Sequence, residues 1–138
     1  MADSFRFDPE AERRLNEDGV IWLTTVRADG QPQTSPVWFV WDGVSFLIYS
    51  IPTSPKVPNI RTNPRVSLNL DGDGAGGSIV TIEGEATIDA RTKPAHEQSA
   101  YVTKYLELIR GLGTEAEPFA QMYSAAIRVT PTRARYYR

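Results

Sequence analysis

The residues best equipped for chemistry fall in one stretch, SIPTSPKVPNIRTNPRVSLNL, residues 50–70. It sets Lys56, Arg61 and Arg65 among Pro52, Pro55, Pro58 and Pro64, and Lys56 is one of only three lysines in the chain. A lysine is a compact point charge suited to a phosphate. Backbone amides at a short helix start near Pro58–Asn59 would serve the same anion. A solvated loop accounts for the same residues without any ligand. His96 is the only histidine, in the polar helix start KPAHEQ, and no nucleophile is paired with it, so a catalytic triad is not expected. With one histidine and no cysteine, a metal site built on imidazole or thiolate is not expected either. Asp71 and Asp73 have carboxylates for a hard cation, but D-G-D-G lacks the downstream glutamate of a calcium loop, and a tight turn explains it better. GDGAGG, residues 72–77, joins two expected strands instead of a strand and a helix, which separates it from a dinucleotide fingerprint. It reads as a hairpin loop, or as bare amides brought up to a ligand. No catalytic residue is assigned. A chain this poor in reactive side chains acts as an enzyme only where a cofactor supplies the reaction.

Those residues must be positioned by a mostly β chain. DPEAERRLNED (8–18) predicts a short helix capped by Asp8, with Pro9 at its first position and Gly19 at its exit. VIWLTTV (20–26), QPQTSPVWFVW (31–41) and VSFLIYSI (44–51) predict three strands, with Asp42-Gly43 a strong hairpin signal between the last two. Pro58 opens a short helix in KVPNIRTN, which ends before Pro64. RVSLNLD (65–71) and SIVTIEGEATIDA (78–90) are further strands, and Gly84 marks a bulge or a close backbone approach. A helix is expected from Lys93 to Leu112, with Tyr101, Tyr105, Leu108 and Leu112 near helical spacing, and a shorter one around Phe119–Tyr123. AAIRVTPTRARYYR closes the chain as a strand. Six strands joined by tight turns, with two or three helices, predict a small antiparallel barrel under helical cover.

The bulk numbers bound the rest. A length of 138 residues predicts one domain, residues 1–138, with a core large enough to fold without staples. A net charge of −2 gives no general basic excess, so no nucleic-acid partner is expected. Twelve of the 15 cationic residues are arginine, a coding bias or a preference for bidentate anion contacts. No apolar run approaches the roughly 20 residues of a membrane span, and MADSFRFDPEAERRLNEDG has no signal-peptide core, so a soluble cytoplasmic protein is expected.

Two patterns carry a resemblance. One is K-x-x-N-[IL]-x-x-[ND]-P-R-[VA]-S, here Lys56 to Ser67; the other comprises Leu23, Thr25, Gly30, Pro32, Pro36 and Val37. Over nearly its whole length the chain resembles the pyridoxamine 5'-phosphate oxidase-like split β-barrel family, and within it the actinobacterial branch that binds coenzyme F420, a 5-deazaflavin with a phosphate and an acidic oligoglutamate tail. The resemblance implies a six-stranded antiparallel split β-barrel with peripheral helices, forming a homodimer with the cofactor at the subunit interface. It implies that Thr34, Ser35, Pro36, Val37 and Trp38 lie along the ring, largely through backbone groups. It implies that Ser50 reaches the phosphate or the ribityl-like chain, that Lys56 pairs with the phosphate, and that Asn59, Ile60 and Arg61 begin the helix beside it. Gly76, Gly77 and Ser78, from the partner subunit, would close over the ring. The implied activity is hydride transfer from the reduced deazaflavin to a small organic acceptor such as an enone. The alternatives are a flavin mononucleotide (FMN) enzyme of the same fold and a non-catalytic cofactor- or haem-binding protein. The FMN oxidases of this fold carry an arginine directly before the lysine, where this chain has Pro55. Loss of that partner weakens FMN phosphate binding by roughly 1.5–3 kcal/mol. The C-terminal run Arg133-Ala134-Arg135-Tyr136 does not reproduce the substrate-recognition arginine and histidine of the vitamin B6 enzymes. Trp22, Trp38 and Trp41 are candidates for a pocket wall or for core, and Tyr49 for a proton source.

Overall fold

The computed structural model describes residues 5–138. Helix α1, Pro9–Glu17, starts where the Asp8 carboxylate accepts the Ala11 amide at 2.9 Å, with Pro9 in the first turn. It leaves through Asp18 in extended backbone, and Gly19 is not among the left-handed glycines that would make it the expected exit. The Arg14 guanidinium fixes that exit, binding the Asp18 carboxylate at 3.0 Å.

Seven strands follow: β1 Ile21–Val26, β2 Pro32–Val37, β3 Val40–Trp41, β4 Phe46–Ser50, β5 Arg65–Leu70, β6 Ile79–Ile88 and β7 Ala125–Tyr137. They form one antiparallel sheet in the order β2-β1-β5-β6-β7-β4-β3. The two outermost strands, β2 and β3, are separated along the chain by only Trp38 and Phe39. The sheet must therefore curl until its edges meet at that link. It closes through the covalent chain and not through a hydrogen-bonded ladder, which makes it a half-closed, split barrel.

Seven strands replace the expected six because the strand read over 31–41 breaks in two. Phe39 is where it breaks. Its amide donates to the Tyr105 hydroxyl at 2.8 Å, and its carbonyl accepts from Lys104 Nζ at 3.0 Å. With both backbone groups satisfied by helix α3 (Ser99–Gly111), Phe39 has no ladder bond left to make. Burial holds Lys104 down to a pKa of about 8, and the Asp18 charge partly offsets this. Its ammonium also sits 3.9 Å from the centre of the Phe39 ring.

Two cores result. Phe7, Leu15, Ile21, Phe46, Ile48 and Leu70 belong to one, which α1 helps to close. Leu47, Tyr49, Tyr101, Tyr105, Ile109 and Phe119 belong to a second, where α3 and α4 (Ala116–Met122) meet the sheet. Strand β4 contributes Phe46 and Ile48 to the first and Leu47 and Tyr49 to the second, so every residue in it is buried. The expected helix over 93–112 begins later, since Pro94 is extended and a 3-10 turn at Ala95–Glu97 precedes α3. Helix α4 starts earlier than expected, at Ala116. The hairpin at Asp42-Gly43 spans four loop residues between Trp41 and Phe46, and the Asp42 carboxylate accepts the Val44 and Ser45 amides. The register shift between Glu83 and Gly84 is the expected bulge, and a Cβ at Gly84 would stand 2.8 Å from the Thr130 carbonyl oxygen.

Two outcomes test this construction. Tyr105→Phe strands the Phe39 amide and lowers unfolding free energy by about 2 kcal/mol in urea denaturation; an unchanged midpoint would remove the clamp from the account. Gly84→Ala forces backbone apart at the bulge and costs about 1–3 kcal/mol in the same assay.

Candidate functional site

Helix α2, Lys56–Thr62, carries the lysine, and two of its residues hold it down. Ile60 is in the first core at 2% exposure. Asn59 is also buried, and its side-chain amide donates to Thr25 Oγ1 and to Gln33 Oε1, each at 3.1 Å. Asn59 thereby ties α2 to β1 and to the edge strand β2. Arg61 is exposed.

Lys56 is about half-buried, and its ammonium donates to Ser54 Oγ at 2.9 Å. Among the described residues no carboxylate pairs with it. Burial alone holds its pKa below the ordinary lysine value, because removing water disfavours the charged form. The helix begins at Lys56 and not at Pro58. The amides that follow Lys56 are spent internally, with Val57 N bonded to the Ser54 carbonyl and Asn59 N to that of Pro55. Pro58 has no amide to offer. Any anion at this point therefore meets the Lys56 side chain and the Ser54 hydroxyl, and not the amides at Pro58–Asn59.

Beside Lys56 opens a cavity of about 370 Å³. Pro36, Val37 and Trp38 contribute one side of it, and Tyr49, Ser50 and Ile51 come from the end of β4. Tyr101, Leu112, Phe119 and Tyr123 enter from α3, α4 and their flanks. The Trp38 ring is parallel to Tyr105, with centroids 4.7 Å apart and 5° between planes, and Phe119 stacks on Trp38 at 5.6 Å. Tyr123 extends the stack from Phe119 at 4.4 Å. Each such pair adds about 1 kcal/mol beyond area burial, so these rings form a rigid wall.

Five of the residues expected to meet a cofactor thus surround one space: Pro36, Val37, Trp38, Ser50 and Lys56. Ser35 and Thr34 lie next along β2, where Thr34 and Thr24 share a 2.7 Å hydroxyl hydrogen bond. Gly76, Gly77 and Ser78 do not line this cavity within one chain. They lie in the β5–β6 hairpin loop, where Asp73 accepts the Ala75 and Gly77 amides and the Ser78 carbonyl accepts from Arg14. That is the tight turn expected of the aspartates, and among the described residues no three metal-binding side chains cluster. Trp41 is core, donating to Glu12, and Trp22 donates to Asp71. The Tyr49 hydroxyl is committed to the Lys93 carbonyl, and burial raises its pKa, which leaves it a poor proton source. Arg135 pairs with Glu83 at 2.6 Å, and the Tyr136 hydroxyl accepts the Asp8 amide, so both side chains have structural partners.

Sequence reasoning missed Tyr101, Phe119, Tyr123 and Ser54. The aromatic residues repeat at i, i+4 (Tyr101–Tyr105, Phe119–Tyr123), a spacing that marks a core-facing helix stripe. Only packing shows that part of this stripe faces a void.

Solved structures share the fold. An F420 reductase superimposes with a TM-score of 0.68 at 25% identity, covering 90% of this chain and 94% of its own. A conserved hypothetical protein from Mycobacterium tuberculosis gives 0.71 at 27% identity, covering 99% and 88%. A haem storage protein from Vibrio cholerae gives 0.68 at 18% identity over 96% of both chains, a likeness of fold alone. The sequence profile of pyridoxamine 5'-phosphate oxidase matches residues 7–138, and with the curled sheet and the Lys56 cavity in place, the chain belongs to the pyridoxamine 5'-phosphate oxidase family.

Proposed function

We propose that the protein is a coenzyme F420-dependent oxidoreductase that reduces a small organic acceptor, enone-like in character, as a cytoplasmic homodimer with its cofactor site at the subunit interface. The observation that carries this is Lys56: an ammonium half sunk beside an aromatic cavity, with one hydroxyl for company and no carboxylate among the described residues. A cation in that state gains more from an incoming phosphate than a solvated lysine does, because the surrounding dielectric is lower.

The residues fit the group. Lys56 and Ser54 would hold a phosphate, and Ser50 borders the same space from the end of β4. Thr34, Ser35, Pro36, Val37 and Trp38 would hold the ring, with backbone groups on offer because β2 is an edge strand of the sheet. Asn59 and Ile60 serve by seating α2, and Arg61 stands at its exposed side. Gly76, Gly77 and Ser78 of a second copy would close over the ring. When bound, the reduced deazaflavin supplies a hydride. The apolar wall of Trp38, Phe119 and Tyr123 excludes water and orients a flat acceptor. Pro55, exposed at the head of α2, offers no second charge to a phosphate, which favours the deazaflavin over FMN. The F420 reductase among the structural neighbours supports the same choice.

Two measurements test the assignment. Lys56→Ala weakens deazaflavin binding by roughly 2 kcal/mol, about thirtyfold, in a fluorescence titration, with the melting temperature retained; equal affinity would dissociate Lys56 from the phosphate. The pH dependence has a definite sign. Anion binding needs the protonated amine, and burial lowers its pKa. Affinity in the parent protein therefore falls as pH rises toward that lowered value, and it falls at lower pH than a solvated lysine would allow. Lys56→Arg, which stays charged, flattens that decline.

A further inference from the structure

Of the hydroxyls lining the cavity besides that of Tyr101, three have partners, and the fourth, that of Tyr123, has none among the described residues but belongs to a partly exposed side chain. That of Tyr49 is bound to the Lys93 carbonyl, Ser50 Oγ donates to the Ile51 carbonyl at 3.1 Å, and Ser54 Oγ accepts from Lys56. Tyr101 differs. Its residue is 1% exposed and lines the cavity, yet its hydroxyl has no hydrogen-bond partner among the described residues. Nor is that oxygen sealed off: among the described residues, the one side-chain polar atom that is both sealed and unpartnered is His96 Nδ1, outside this lining. The phenol oxygen therefore keeps part of the small exposure of Tyr101, a residue that lines the cavity. Tyr105, one turn along the same helix, shows what a purely structural tyrosine does here, since its hydroxyl is bound to Phe39 and to the Gly19 carbonyl.

Tyr101 is also held in place: its ring meets Tyr49 edge-on at 5.1 Å and Tyr105 at 4.9 Å. A fixed donor without a partner, beside the aromatic rings of Trp38 and Phe119 in the same lining, selects a ligand with an acceptor atom on a flat apolar body. The ligand is also uncharged at this end, because Lys56 is the only charged side chain in the lining. Burial pushes the Tyr101 phenol far above its ordinary pKa, so it stays neutral and donates a hydrogen bond without giving up its proton.

We infer that the Tyr101 hydroxyl is the specificity contact of this cavity, donating to the carbonyl oxygen of a neutral, planar, conjugated or aromatic ketone. This rests on the proposed reading of the cavity as the reaction site, and names the substrate class that it takes. In that role Tyr101 polarises the carbonyl and orients the conjugated system against the Trp38–Phe119 stack.

The test uses 1-indanone and its carbonyl-free counterpart indane, each titrated into the 138-residue protein by quenching of tryptophan fluorescence. The parent binds 1-indanone about tenfold more tightly than indane, the worth of one well-placed hydrogen bond. Tyr101→Phe abolishes that preference, while its indane affinity stays within about twofold and its melting temperature is retained, since no internal hydrogen bond is lost. The carbonyl stretch of bound 1-indanone lies at lower frequency in the parent than in Tyr101→Phe. A parent that does not distinguish the two compounds, or a variant that keeps the preference and the shifted stretch, overturns the inference. A parent that favours 1-indanone through Tyr101 yet fails to bind the deazaflavin supports the carbonyl contact and overturns the cofactor assignment instead.

Discussion

The structure depends on how the two-residue link Trp38–Phe39 is held. It joins the opposite edges of a seven-stranded sheet, and no strand ladder fixes it. Tyr105 and Lys104 do so instead, from one turn of α3, by taking both backbone groups of Phe39. Phe39 is thereby turned into the first core, while Trp38 stacks on the ring of that same Tyr105. One side chain thus closes the barrel with its hydroxyl and, with its ring, backs the Trp38 that lines the cavity. The fold and the site share a single constraint, and the cavity is rigid because the barrel seam is rigid.

A second constraint sets the electrostatics. Lys56 is presented by a seven-residue helix that could not hold its place by propensity alone. Asn59 and Ile60 anchor it from beneath, through polar bonds to β1 and β2 and through the core. The charge is therefore displayed at a fixed point on the cavity rim, with desolvation already imposed before any ligand arrives. Preorganisation of this kind moves the cost of ordering into folding and leaves the binding step with little to rearrange.

Much of this was legible in the residues. Alternation and turn chemistry gave the strands and the Asp42-Gly43 hairpin, Asp8 and Pro9 gave the head of α1, and Gly84 gave the bulge. Lys56 stood out because it is scarce and closely framed by prolines. The strand break at Phe39 was not legible. VWFVW reads as continuous strand, and the groups that interrupt it lie 65 and 66 residues away. The aromatic wall was hidden for a related reason. Tyr101 and Tyr105 share a helix stripe and the same neighbours, and only the fate of each hydroxyl separates the one that builds the seam from the one that faces the cavity. The amides once assigned to anion binding near Pro58–Asn59 were lost to a shift of two residues in the helix start.

The central claim is that the Lys56 cavity receives a deazaflavin in preference to a standard flavin. Side-by-side fluorescence titration of the purified protein with coenzyme F420 and with FMN tests it most directly. The account predicts saturable binding of F420, tighter than FMN by at least the roughly 1.5–3 kcal/mol expected from the missing second cation at Pro55. Tighter binding of FMN, or no saturable binding of either, would contradict it.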